Sequence, residues 1–200
     1  MPTEIEQKIS ASAAAFQESL WPLIANHLGG GRIVAVESVV DQDFFKQYLD
    51  AYGGIDSWHI SDEKCLMRGI ASRMQRTRKL FATITIRYRK QTGNKTEIHK
   101  RMNALRQPGG WLHPQVVVQG YFHPEGNGYG KPRAAAIANM TDIIRVICDG
   151  DQGDDWRNPR DWYIDRTSAK YGNHDNTEFA VVPIETLNRL KLKHRWLVFQ

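Results

Sequence analysis

Helix-like and strand-like segments that alternate along 200 residues predict one mixed domain spanning 1–200, of α/β or α+β class, with a central mixed β-sheet and flanking helices. Three observations carry that prediction. Apolar residues recur at helical spacing over 6–27. The segment 80–90 alternates with period two. The run 115–122 is apolar enough for a strand covered on both faces.

The elements follow in order. Ile9, Ala13, Phe16, Leu20, Leu23 and Ile24 form the stripe of the first helix. Pro22 kinks or splits its last turns, and Gly29-Gly30-Gly31 ends it. The valine-rich 32–40 is strand-like, and 43–52 is helical up to Gly53-Gly54. Ile55 to Ile60 and Leu66 to Met74 read as a strand pair around a polar turn. Within 80–90, Ala82, Ile84, Ile86 and Tyr88 point one way, and Thr83, Thr85, Arg87 and Arg89 the other. That places arginines on a face turned to solvent or a ligand. Thr96 caps a helix reaching Arg106, with Ile98, Met102 and Leu105 as its apolar stripe. After the strand 115–122, Ala134 to Met140 suits helix or strand, and Thr141 caps a helix 142–148. The acidic stretch 149–161 reads as an exposed loop. A strand at 179–182, a short helix after Pro183 and a strand at 192–199 complete the chain.

Hydrophobic residues make up 41% and charged residues 24%, which excludes disorder and supports a real core. No apolar run is long enough to span a membrane, and the opening MPTEIEQK lacks a basic leader. Cys65 and Cys148 form no zinc spacing or disulfide framework, so a reducing, cytoplasmic setting is expected. Charge is distributed unevenly. Residues 1–63 hold 3 Lys/Arg against 10 Asp/Glu, residues 64–106 hold 13 against 1, and residues 107–200 hold 11 against 11. Thirteen crowded cations repel one another unless the acidic first third or a polyanionic partner relieves them. Arg73, Arg76, Arg78, Lys79, Arg87, Arg89, Lys90 and Arg101 are the expected phosphate contacts of a nucleic acid. Trp58, Tyr88, Trp111 and Tyr121 lie within or near this region. Trp58 and Tyr121 are the ones expected to be free to stack on bases.

Candidate chemistry centres on carboxylates. Asp56 follows a glycine turn at a strand start, where a carboxylate either holds a hard cation or binds its own backbone. Glu37 and Glu97 are possible partners. Glu97 serves as a ligand with Lys100 as a nearby cation, or as a helix-start acid paired with Arg101. Gln75 can position a water or meet a base edge, and Gln119, inside an apolar strand, needs a polar partner. His113 and His123 flank one strand and suggest a loop ligand, but no histidine belongs to a recognised metal motif. GxGxxG, GxxxxGK[ST] and GxSxG are missing, so no nucleotide cofactor is expected.

The leading helix, the Gly54-Ile55-Asp56 turn, the hairpin and the basic region after it together resemble the PD-(D/E)XK nuclease superfamily. That resemblance implies a strand-edge Asp and a D/E-x-K on the next strand that hold magnesium and position a water. Asp56 corresponds to the first acid. The chain departs at the second element, because Ile70 to Gln75 has neither acid nor lysine. Glu97-Ile98-His99-Lys100 has both, one residue too far apart and in a helical setting. The expectations are therefore a nucleic-acid-binding protein that is a Mg²⁺-dependent phosphodiester hydrolase using Asp56, Glu97, Lys100 and Gln75, with Asp56, Glu37 and Glu97 on the metal. The alternatives are a non-catalytic DNA- or RNA-binding module, and a protein-interaction or inhibitor domain that recognises an acidic protein surface.

Overall fold

The computed structural model describes residues 10–36, 54–62, 66–90, 96–106, 113–166 and 177–200. The expected strand end at 37–40, the helix at 43–52, Glu37, Cys65 and Trp111 lie outside those residues.

The first helix, α1 (10–28), is not uniform. A π-helical turn at Ala15–Leu20 precedes an α-helical turn at Trp21–Ile24 and a 3-10 turn at Ala25–Leu28. The cause is Pro22, which lacks an N–H and whose ring crowds the carbonyl four residues back. The Trp21 amide reaches Phe16 O instead, which widens the turn by one residue. That extra residue rotates the buried face, so Leu23 of the expected stripe is 46% exposed and Trp21 takes its place with Phe16, Leu20, Ile24 and Leu28.

Among the described residues ten strands follow: β1 (Arg32–Ala35), β2 (Ser57–Ile60), β3 (Met67–Arg76), β4 (Thr83–Lys90), β5 (Val116–Glu125), β6 (Gly128–Asn139), β7 (Gln152–Gly153), β8 (Trp162–Asp165), β9 (Thr177–Pro183) and β10 (His194–Val198). Sheet 1 has the order β1-β2-β3-β5-β6-β10 and sheet 2 the order β4-β9-β8-β7. Sheet 1 is mixed, because β3 and β5 run parallel while its other pairs are antiparallel. The crossover between β3 and β5 carries β4 and α2 (Glu97–Arg106). Helices α3 (Met140–Asp149) and α4 (Ile184–Arg189) complete the fold.

Two buried clusters sit on opposite faces of sheet 1. On one face, α1 packs on Ile70, Met74, Val116, Val118 and Phe122. Gly120 lets it approach closely: a Cβ there would lie 2.7 Å from Leu20 Cδ2 and 2.6 Å from Met74 Sδ. On the other face, Ala71, Val117, Ala136 and Ala138 meet Ile84, Ile86, Ala180 and Val182 of sheet 2, with Ile98 of α2 and Ile143 and Ile147 of α3. Burial on both sides explains why β5 is buried throughout 116–122 and apolar there except at Gln119 and the Tyr121 hydroxyl.

Of the alanine-rich segment at 134–140, residues 134–139 resolve as strand and Met140 opens α3. Hydrogen-bonded between β5 and β10 and buried from Ala134 to Ala138, it gains more from the sheet than alanine's helical propensity returns. Thr141 does not cap α3. Asn139 does, accepting from the Thr141 amide (2.8 Å) and the Asp142 amide (3.3 Å).

Candidate nucleic-acid interface and acidic site

The site begins with an unpaired strand edge. Among the described residues β4 pairs only with β9, so alternate amides on its other side face sheet 1. Three side chains meet them in turn. The Tyr121 hydroxyl accepts from the Thr83 amide (3.2 Å) and donates to Thr83 O (2.5 Å). Gln119 Oε1 accepts from the Thr85 amide (3.1 Å) and hydroxyl (2.9 Å), while its Nε2 donates to Gln75 Oε1 (3.0 Å). Glu97 Oε2 accepts from the Arg87 amide (3.2 Å). Residues 119 and 121 reach the same seam because period two puts them on one face of β5.

Two expectations are corrected here. Thr83 and Thr85 line this seam instead of solvent, and only Arg87 and Arg89 of that face are exposed. Tyr121 is 0% exposed and stacks edge-on against Trp196, so it cannot meet a base. Trp58, half-buried, packs beside Val36 and Ile55.

Glu97 opens α2 as expected. Thr96 precedes it, donating to Tyr88 O (2.7 Å), and the His99 ring reaches back to the Thr96 amide (3.4 Å). Glu97 Oε1 pairs with Arg101, the i+4 residue. Arg101 is 2% exposed, which corrects its expected role as a phosphate contact; three residues after buried Ile98, it falls on the buried face of α2. Its side chain packs beside the turn at Gly54, whose φ of +63° suits glycine.

Arg73 completes the cluster, its guanidinium carbon 4.1 Å from the centre of the Phe179 ring. Burial lowers its pKa to about 10, against the opposing pull of Glu97, and the neighbouring Arg87 and Arg101 charges lower it further. Burial alone would raise the Glu97 carboxyl. Arg101, Arg73 and the Arg87 amide and charge outweigh it, and the net direction is downward. One carboxylate thus stands among three guanidiniums.

That donor set does not suit a divalent metal at Glu97. Both oxygens are engaged, and the nearest charges are positive. Asp56 is exposed at the start of β2, where its Oδ2 accepts from the Ser72 amide (2.6 Å) and hydroxyl (3.4 Å). Its carboxylate therefore extends the β2–β3 ladder by one rung. No group of three or more His, Cys, Asp or Glu placed to hold a metal exists among the described residues.

The remaining cations are arranged as follows. Arg76, at the end of β3, donates to Asn127 O and lies over the Tyr129 ring (5.7 Å). Arg78 and Lys79 sit exposed in the following turn. Among the described residues, no carboxylate pairs with Arg76, Arg78, Lys79 or Arg87. Arg89 shares Glu178 with Arg166, at 3.0 and 3.1 Å. Lys90 and Lys100 are half-buried and engaged in contacts of their own. Arg133, not singled out in the sequence, donates to Thr77 O (3.2 Å) and Arg78 O (2.8 Å) and pins the basic turn. A sequence separation of about 55 residues hides that link.

No family model, no curated protein and no solved structure matches this chain. Function must be read from the site itself.

The two histidines beside β5 do not share a site. His113 precedes the strand and His123 lies near its far end, roughly 30 Å apart for ten extended residues. His113 is buried, and burial with the nearby Arg101 charge lowers its pKa to about 4, so its ring is neutral at pH 7.

Proposed function

We propose that this protein binds nucleic acid through its phosphates, using Arg76, Arg78, Lys79 and Arg87. The observation that carries the reading is the excess of positive charge around Glu97. Arg73, Arg87 and Arg101 surround a single carboxylate, which invites an anion in preference to a metal cation. The exposed Arg76, Arg78 and Lys79 extend that field along the end of β3. Backbone contact of this kind gives affinity and positions a strand without reading its sequence. The free thiol of Cys148 supports a reducing, cytoplasmic setting.

Asp56 keeps a hydrolytic reading open to test, because its carboxylate is exposed and lies beside β3, the neighbour that the PD-(D/E)XK resemblance implies. Fluorescence anisotropy with labelled single-stranded and duplex DNA and RNA tests binding. The wild type binds, and Arg76→Glu/Arg78→Glu/Lys79→Glu loses binding while keeping its circular dichroism spectrum. An unchanged affinity in the variant overturns the reading. Incubating the same probes with Mg²⁺ or Mn²⁺ then separates the two forms. Cleavage abolished by Asp56→Ala identifies a hydrolase, and binding without cleavage identifies a binding module.

A further inference from the structure

A second basic surface lies at the other end of sheet 1. An open groove of about 540 Å³ crosses the sheet where β3 and β5 begin and β6 ends. Its walls carry Arg68, Lys193, His194 and Arg195, and Leu28, Val116 and Ile137 supply apolar surface. Among the described residues, no acid lines it. Roughly 25 Å of extended β3 separates Arg68 from Arg76, so the groove is distinct from the interface above.

One of its cations, Arg68, is held in place by the fold. Arg68 is half-buried, and its guanidinium donates to Leu28 O at the end of α1 (2.8 Å). That bond fixes the side chain across the groove. The Nε–H of Arg68 is buried and has no acceptor among the described residues, so a wall residue retains an unspent donor. The His194 Nδ1 lies 2.8 Å from Leu192 O, which orients the ring with Nδ1 as donor. Lys193 and Arg195 are exposed on the same rim.

We infer that this groove binds a phosphorylated organic ligand of nucleotide size. Three permanent positive charges suit a multiply charged phosphate better than a single carboxylate. The volume exceeds what an inorganic anion fills and falls within the range of small-molecule sites. The aliphatic side chains give the organic part a surface to cover. The ligand is a free nucleotide or a nucleotide unit of a strand, and both present the same chemistry.

Isothermal titration calorimetry on the full chain tests this with ATP, adenosine and a 5′-phosphorylated oligothymidylate. ATP binds more tightly than adenosine. Lys193→Glu/Arg195→Glu weakens ATP by at least about tenfold, and by more than Arg76→Glu/Arg78→Glu does. Should ATP fail to bind, oligothymidylate whose affinity falls in Lys193→Glu/Arg195→Glu identifies a strand as the source. Equal affinity for ATP and adenosine overturns the inference, as does indifference of both phosphorylated probes to the 193/195 substitutions. Lys193→Gln/Arg195→Gln carries the test if charge reversal lowers the thermal midpoint. Absence of binding at Arg76, Arg78, Lys79 and Arg87 leaves these outcomes intact, so the two readings fail separately.

Discussion

Glu97→Ala removes the carboxylate that faces Arg101 and the Arg87 amide. The Arg101 side chain is 3% exposed and that of Glu97 is 27%, so the substitution strands a buried guanidinium. Breaking a buried ion pair by deleting one partner costs about 3–5 kcal/mol, and the partial exposure of Glu97 places this case near the lower end. The orphaned Arg87 amide adds about 1 kcal/mol. Together these predict a loss of about 4 kcal/mol. Glu97→Gln keeps an acceptor for the Arg87 amide and should lose about 2–3 kcal/mol. Arg101→Met leaves a carboxylate still faced by Arg73, so its cost should be smaller, about 1–2 kcal/mol. Because the two groups act on each other, Glu97→Gln/Arg101→Met should be less damaging than the sum by about 1–2 kcal/mol. Urea unfolding followed by tryptophan fluorescence measures all four proteins. A loss under about 1 kcal/mol for Glu97→Ala, or singles that add within about 0.5 kcal/mol, would refute the view that this pair ties α2 to the seam.

Two related outcomes follow from the same seam. The Glu97 carboxyl titrates below its ordinary value of 4.5 in the folded state, so its stabilisation is complete above that value and disappears as pH falls through the lower folded value. The stability gap between wild type and Glu97→Gln should therefore hold above that ordinary value and narrow as pH falls below it, and a constant gap in acid unfolding titrations would contradict this. Tyr121→Phe deletes the hydroxyl shared by the Thr83 amide, carbonyl and side chain. Their burial predicts a loss of about 1–3 kcal/mol in thermal or urea unfolding with no change in nucleic-acid affinity, since the hydroxyl never reaches solvent.

Much of the architecture was legible where a pattern was local. The period-two segment became β4, the double-sided apolar run became central β5, and Glu97 fell at a helix start with its i+4 arginine. Misreadings have specific physical origins. Pro22 forces a π turn, and one added residue exchanges Leu23 for Trp21 on the buried face. A period-two pattern distinguishes two faces but not what covers the polar one, so Thr83 and Thr85 looked solvated when Gln119 and Tyr121 from β5 meet them. The second sheet was hard to foresee because β7 has two residues and β8 four, and β4 joins it through β9, whose Pro183 pairs with Thr83 from far along the chain. Arg101 illustrates a signal that was present: a cation three residues after a buried isoleucine and four after a glutamate falls on the helix face that is covered. Arg133 offers none, because its contacts to the basic turn come only from the fold.

The salt dependence of affinity probes the exposed cations most directly. If Arg76, Arg78, Lys79 and Arg87 each neutralise one phosphate, log K plotted against log salt for wild-type protein on single strands should fall with a slope of about −3, and more steeply on duplex. A flat plot, with binding that persists unchanged from about 50 to 200 mM salt, would mean that these side chains do not engage a polyanion.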